Sequence, residues 1–489
     1  MAILAPILGV ITVIAGVLYI NHTWPGFLNV SQPTATKDYS QPPTPIHTAY
    51  ITVTMTPNLT VVLTHSPVPT ITYTPTLRPT RTITVTPTLV PVEESVSLSM
   101  DELQKQVIGL RGLPYQGPVD RSQIALFDAQ VQISGELLTN DYLAKLKIQS
   151  QALSILGLIT PNTNLSNWVI NQVADPYEGL YLPWRREIIV MGIHFDPIAR
   201  FNYTQEFDHY LIDTHFNGAR LGFGPLCPYD LQRCQAINAF YQGDGVLLME
   251  QWAEKFAGKA DNQEIASFTP PAEMIKEPVP QPYLSQTLKF PYTAGYNFVK
   301  TLFDKGGWEA VNQAFQNPPV STTQILHPDQ YLAKSTPVVE ELPNAKSSLG
   351  GAWNLFDHNV LGEWNTYLLL GYGADAPSRV DDSAAYDASN GWSGDSYQIY
   401  TNPETKKTAL VVKWDWINED NRLEFQVVMS THLKGLYPKA VQNDQVNGSR
   451  WIQPDQIACL YGKGQQTIWI VAPDPVIFKT LLKQYPDFP

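Results

Sequence analysis

The residues best suited to chemistry lie in one short segment, residues 204–216, which reads TQEFDHYLIDTHF. Glu206, His209 and Asp213 are spaced three and four residues apart, so a helix places them on one face. A carboxylate beside an imidazole is the arrangement of a general base next to a metal ligand. The simpler alternative is a surface face whose polar groups hydrogen-bond to one another and to water.

A zinc-binding template makes the comparison more specific. In the helical pattern His-Glu-x-x-His, two imidazoles bind the metal and the glutamate takes a proton from the metal-bound water. Here Gln205 stands at the first histidine position, Glu206 at the glutamate and His209 at the second histidine. The third ligand of the template, a glutamate on a second helix, corresponds to Gln242 in the segment AFYQGDG. A neutral amide oxygen is a poor zinc ligand, so two of the three ligands are replaced.

The region from residue 105 to 489 resembles a family of exported or membrane-anchored bacterial zinc metallopeptidase-like proteins of the gluzincin type. Its members carry a His-Glu-x-x-His-Ala-Leu-Gln-Asp-Gln-His-Phe helix, followed by an Ala-Leu-x-Glu-Gly-Asp-Ala helix. The order and spacing of the matches carry the resemblance, because each motif alone is weak. The matching positions are residues 110–114; Glu206, His209, Leu211, Asp213, His215 and Phe216; Gly243 and Asp244; and residues 306–308, 318–322, 326–328, 331–332 and 391–395.

The resemblance implies a zincin-like domain in which Glu206 is a vestigial general base and His209 is the one retained metal ligand. It also places Asp213 and Asp244 around the ligands, where Asp244 would orient the ring of His209 by accepting a hydrogen bond. We therefore expect no zinc cofactor and no catalysis. The alternative is an active zinc peptidase with an atypical site, in which Glu206 and His209 act together with Asp244, Glu250 or a distant loop.

Cys227 and Cys234 lie between the two helices, in the sequence CPYDLQRC. We expect a disulfide between them, as is common in exported proteins. The alternative is a relocated metal site that combines both cysteines with His209 or His215, although their spacing matches no familiar ligand pattern. Cys459 lies in an apolar run and is expected to be a buried thiol.

Composition separates the N-terminal part from the rest of the chain. Residues 2–20 contain no charged side chain and, as a helix, are long enough to cross a bilayer. Residues 21–95 are rich in Thr and Pro, which favours an extended stalk, with edge strands as the alternative. We expect an uncleaved single-pass anchor and a globular part outside the cytoplasmic membrane. A cleaved signal peptide is the alternative for the first segment.

The remaining chain predicts an α+β protein. We expect a zincin-like domain over residues 96–345 and a smaller α+β domain over residues 346–489, after the anchor at 1–20 and the stalk at 21–95. In the C-terminal part, strand patterns such as TALVVKWDWI and QTIWIVAPDP precede a closing helix, VIFKTLLKQY. The net charge of −13 argues against nucleic acid partners.

Two predicted elements position the candidate residues. A short β-rich run from Glu187 to Met191 precedes the segment that carries them. A long helix over about Asp230 to Ala257 follows it, and its Gly-Asp-Gly sequence indicates a close approach to another element.

Together these observations favour a membrane-anchored pseudopeptidase. The replaced ligands remove the activated water, while the intact helix pair keeps a surface that binds a peptide, a protein or another envelope partner. An active peptidase is one alternative, and a purely structural surface protein is the other.

Overall fold

The computed structural model describes residues 92–125, 134–136, 138–173, 179–192, 194–222, 227–267 and 281–488. All of these residues fall in one compact unit. The predicted membrane anchor, and the predicted stalk up to residue 91, lie outside the described residues. None of the helices in the described part combines the length and the apolar character that a membrane span requires.

The described chain is a mixed α+β structure, which confirms the predicted fold class at that level. The α-helices are, in chain order, α1 Glu94–Arg111, α2 Asn140–Ile155, α3 Leu165–Val173, α4 Pro197–Phe216, α5 Gly218–Leu221, α6 Leu231–Phe256, α7 Lys259–Ser267, α8 Pro282–Phe290, α9 Tyr296–Gln316, α10 Thr322–Leu326, α11 Pro328–Leu332, α12 Lys346–Leu349, α13 Gly362–Tyr372, α14 Asp382–Ser389, α15 Glu419–Leu436 and α16 Pro475–Leu482. A π-helical turn, Pro291–Gly295, joins α8 to α9, and a short 3-10 helix covers Ala376–Ser378.

The strands form two sheets. They are β1 Asp120–Ile124, β2 Gly179–Leu182, β3 Glu187–Met191, β4 Asn354–Asn359, β5 Trp392–Asn402, β6 Lys407–Trp416, β7 Val441–Gln445, β8 Gly448–Gln453, β9 Gln456–Lys463 and β10 Gln466–Ala472. The first sheet has the order β1-β3-β2, with β1 parallel and β2 antiparallel to β3. The second sheet is antiparallel, with the order β4-β5-β6-β10-β9-β8-β7.

Helices α4 and α6 carry the candidate residues, and both begin at an aspartate. The carboxylate of Asp196 accepts the N–H of Ala199 at 2.9 Å, and that of Asp230 accepts the N–H of Arg233 at 2.9 Å. Asn217 ends α4 in the left-handed region, with φ at 58°. The predicted strand from Glu187 to Met191 is confirmed as β3, and all five of its residues are buried.

The glycines of α6 permit the close contact that the sequence indicates. A methyl group at Gly243 would overlap the carbonyl group of Gly295 and lie 2.6 Å from the backbone nitrogen of Tyr296. Helix α6 therefore packs backbone to backbone against the π-helical turn.

Hydrophobic cores lie on both faces of the seven-stranded sheet. One core, which includes Phe425 and Met429 of α15, continues from Trp469 in this sheet to Tyr142 in the helical part. The other lies between the sheet and α16, where Phe478 is buried. The helical part and the sheet thus share one core, and the predicted division at residue 345 stays a prediction.

Candidate functional site

The candidate site lies where α4 packs against α6 on one side and against β2 on the other. Gln205 of α4 donates from Nε2 to Oε1 of Gln242 on α6 at 2.7 Å, and both side chains are half-buried. Space for this contact comes from Gly245, because a methyl group there would lie 2.6 Å from Cγ of Gln205. The two residues that replace metal ligands are therefore bonded to each other. We call Gln205 and Gln242 the amide pair.

Glu206 is buried and bonded to the edge strand of the first sheet. Its Oε2 accepts the backbone N–H of Tyr181 in β2 at 2.7 Å and lies 3.4 Å from Nδ1 of His209. Gly179 leaves room for this side chain, since a methyl group at that position would lie 3.0 Å from Cγ of Glu206. The carboxylate thus has a structural partner in the first sheet.

His209 is buried, with only 3% of its surface exposed. Its ring stacks on the ring of Tyr241, with centroids 3.9 Å apart and planes 16° apart. Of its two ring nitrogens, Nδ1 lies 3.4 Å from Oε2 of Glu206. Nε2 is buried and has no hydrogen-bond partner within the described residues.

Asp213 bonds to the same tyrosine as Glu206. Its Oδ2 accepts the hydroxyl of Tyr181 at 2.8 Å, and its Oδ1 accepts the N–H of Gly218 at 3.0 Å. Burial, and then the charge of Asp213, raise the pKa of Tyr181. Burial also raises the pKa of Tyr241 well above its usual range, with the charge of Glu206 as the next cause. Both tyrosines therefore stay protonated beside the carboxylates.

Asp244 lies with Arg111 of α1. Its Oδ1 accepts from Nη2 of Arg111 at 3.2 Å, and both side chains are fully buried. The expected contact between Asp244 and the ring of His209 is replaced by this ion pair. The other alternative ligand, Glu250, accepts the hydroxyl of Tyr296 at 2.6 Å.

These residues do not fit a zinc site. Gln205 and Gln242 bond to each other, their neutral amides are poor zinc ligands, and one imidazole remains. Across the described ranges, no three His, Cys, Asp or Glu side chains are arranged so that they could hold a metal ion. Cys227 and Cys234 form a disulfide just before and within the first turn of α6, and Nδ1 of His215 lies 2.7 Å from the carbonyl oxygen of Leu211.

Several other positions named for the resemblance form contacts between distant parts of the chain. Arg111 lies under the ring of Trp308, with Cζ 4.2 Å from its centroid. Nε2 of His327 lies 2.7 Å from Oε1 of Glu363, which connects the loop after α10 to α13.

Asp395 holds the start of α13. Its buried carboxylate accepts the N–H groups of Leu361 and Gly362 at 2.7 Å each and the indole N–H of Trp392 at 2.8 Å. Burial raises the pKa of Asp395 to about 7, while these three donors act in the opposite direction. The motif at residues 391–395 is thus explained by helix capping.

The sequence did not identify Tyr181 and Tyr241 as site residues. Tyr181 contributes a backbone N–H and a hydroxyl to two carboxylates on α4. The sequence could have indicated Tyr241, because this residue directly precedes Gln242. It gave no such indication of Tyr181, because the place of this residue beside α4 depends on the pairing of β2 with β3.

Fold and site together define an α+β protein with a buried polar junction between two helices and an edge strand. A family model described as a domain of unknown function, DUF8575, matches residues 354–480, which span the whole seven-stranded sheet. No curated protein and no solved structure matches the chain.

Proposed function

We propose that this chain is a membrane-anchored, zincin-like pseudopeptidase that acts outside the cytoplasm by binding a peptide, protein or envelope partner. The observation that supports this proposal is the hydrogen bond of the amide pair. It joins the residues at two of the three ligand positions, and a neutral amide oxygen is a poor zinc ligand.

The state of Glu206 supports the same proposal. A water molecule without a metal has a pKa of about 15.7, compared with about 7 on zinc, so a carboxylate has no activated nucleophile to deprotonate. Here the carboxylate of Glu206 accepts the N–H of Tyr181 instead. In this proposal, the packing of α4 against α6 and β2 is present without zinc-dependent hydrolysis.

The test uses the full chain, purified in mild detergent without chelator or histidine tag. Zinc is measured by elemental analysis after incubation with micromolar zinc sulfate, and hydrolysis is measured with fluorescein-labelled casein. We expect neither bound zinc nor hydrolysis. About one zinc per chain, with hydrolysis that is lost in Glu206→Gln, would overturn the proposal.

A reverted variant shows whether the missing ligands are the cause. The double substitution Gln205→His and Gln242→Glu restores the template, and we expect it to bind zinc that the natural chain does not bind. The matched control is Gln151→His with Gln316→Glu, which introduces the same residue types at two exposed helical positions. The control is expected to bind no more zinc than the natural chain.

A further inference from the structure

The amide pair leaves one acceptor and one donor unused. The bond between Nε2 of Gln205 and Oε1 of Gln242 leaves Oε1 of Gln205 and Nε2 of Gln242 with no protein partner in the described part of the chain. Rotating both terminal amides by 180° exchanges their oxygen and nitrogen atoms. One carbonyl oxygen and one NH₂ group still lack a protein partner. Both side chains are half-buried, and neither of these two atoms is among the solvent-shielded side-chain atoms that lack a partner, so both are within reach of solvent.

The surroundings of the amide pair are rich in acceptors and negative charge. The buried Nε2 of His209 has no partner among the described residues and lies beside Gln205, since a methyl group at Gly245 would contact both residues. Glu206 and Asp213 lie on the same face of α4, and neither forms an ion pair with Lys or Arg among the described residues. Such a site favours a cationic group with several N–H donors.

We propose that the amide pair, together with Glu206 and Asp213 of α4, binds a basic peptide segment of the partner. The guanidinium or ammonium group of an arginine or lysine donates to Oε1 of Gln205 and is attracted by Glu206 and Asp213. A backbone carbonyl of the same segment accepts from Nε2 of Gln242. This inference rests on the proposed function and names the chemistry of its partner.

The experiment measures fluorescence anisotropy of labelled, end-capped peptide pools with the full chain in detergent. One pool has a central arginine among random neighbours, and its matched pool has glutamate at the same position. We expect the arginine pool to bind at least about tenfold more tightly. Gln205→Ala and Gln242→Ala should each weaken its binding about tenfold, while Gln151→Ala, at an exposed helical position, should not change it.

Asp213→Asn tests the role of charge with little change in shape. We expect it to reduce the preference for arginine over glutamate and to make binding less sensitive to salt. A second measurement leaves the protein intact: replacing one backbone amide of a selected peptide by an ester weakens the acceptor carbonyl. We expect the natural chain to bind the ester peptide more weakly than the amide peptide, and we expect Gln242→Ala to bind both equally.

The outcomes separate this inference from the proposed function. Equal affinity for the two pools, or full affinity in both glutamine variants, overturns the inference. Lack of binding by either pool at millimolar concentration also overturns it and leaves the non-catalytic proposal standing. Cleavage of the peptides, detected by mass spectrometry in the same samples, overturns the proposed function instead.

Discussion

The carboxylates of Asp208 and Asp244 lie against the same buried guanidinium. Oδ1 of Asp208 is 3.2 Å from Nε of Arg111, and Oδ1 of Asp244 is 3.2 Å from Nη2. Burial, and then the charge of Asp244, raise the pKa of Asp208 well above its ordinary value. The shared guanidinium opposes this rise, because its positive charge stabilises the buried carboxylates and reduces the cost of burying them.

Loss of this guanidinium should destabilise the protein strongly. Arg111 also donates from Nη1 to Oδ1 of Asn312 at 2.5 Å, so Arg111→Met leaves several buried groups without their partner. We expect the free energy of unfolding to fall by about 3–5 kcal/mol. Urea unfolding followed by tryptophan fluorescence measures it.

The control for this prediction is Arg121→Met. Arg121 pairs with Asp101, but 47% of the Asp101 side chain is exposed. Because exposed pairs contribute little, we expect a loss of at most about 1 kcal/mol. Similar losses for the two variants would contradict the assignment of Arg111 as the centre of a buried charge cluster.

The contact between Gly243 and Gly295 should tolerate no side chain. A methyl group at residue 243 meets backbone atoms of the π-helical turn, which cannot rotate away. We expect Gly243→Ala to lower the free energy of unfolding by about 3 kcal/mol or more. Thermal unfolding followed by circular dichroism is the measurement.

Gly109 provides the opposite case. It is exposed within α1, and a methyl group there would meet nothing within 4 Å. Gly109→Ala should therefore raise the free energy of unfolding by about 0.5–1 kcal/mol. If both alanine variants behaved alike, helix propensity alone would explain the effect at residue 243.

Local signals in the sequence were sufficient for α6 and β3, whose bounds agree closely with the prediction. Asp230 is a suitable N-cap, and Glu187–Met191 is a short run rich in β-branched residues. Helix α15 was not predicted, although its buried Phe425, Met429 and Leu433 recur at helical spacing. Strand β7, with the sequence VQNDQ, has no alternating apolar pattern to detect.

The candidate site shows the same limit. Spacing along α4 places Glu206, His209 and Asp213 on one face, but their partners come from distant parts of the chain. Asp244 bonds to Arg111, 133 residues away, and no rule of spacing gives that pairing. The sequence therefore supplies the candidate residues, while their contacts required the tertiary structure.

The disulfide between Cys227 and Cys234 should stabilise the start of α6. It closes a loop with a sequence separation of 7, and Lys145 donates to the carbonyl oxygen of Cys227 at 2.7 Å. Replacing both cysteines by alanine should lower the free energy of unfolding by about 2.5 kcal/mol, because the unfolded chain gains freedom.

Reduction of the natural chain provides the check. A thiol reductant should lower its free energy of unfolding by a similar amount and should leave the double alanine variant unchanged. An equal effect of the reductant on both proteins would show that this disulfide does not contribute to stability.

His432 should make the protein sensitive to acid. It is buried in α15, where Nδ1 donates to the carbonyl oxygen of Ser378 at 2.9 Å, and burial lowers its pKa from 6.5 to about 4. The nearby charge of Asp375 and the carbonyl oxygens of Ser378 and Leu370 act in the opposite direction. Between these two pKa values the unfolded chain binds a proton that the folded chain does not bind.

Stability from this group is therefore fully present above pH 6.5 and is lost as the pH falls towards 4. The expected slope is up to about 1.4 kcal/mol per pH unit, or about 2 kcal/mol between pH 7 and pH 5. His432→Gln keeps a donor for the carbonyl of Ser378 but does not titrate, so urea unfolding should show a smaller loss on acidification. Parallel pH profiles for the two proteins would mean that His432 has the same pKa in the folded and unfolded chains.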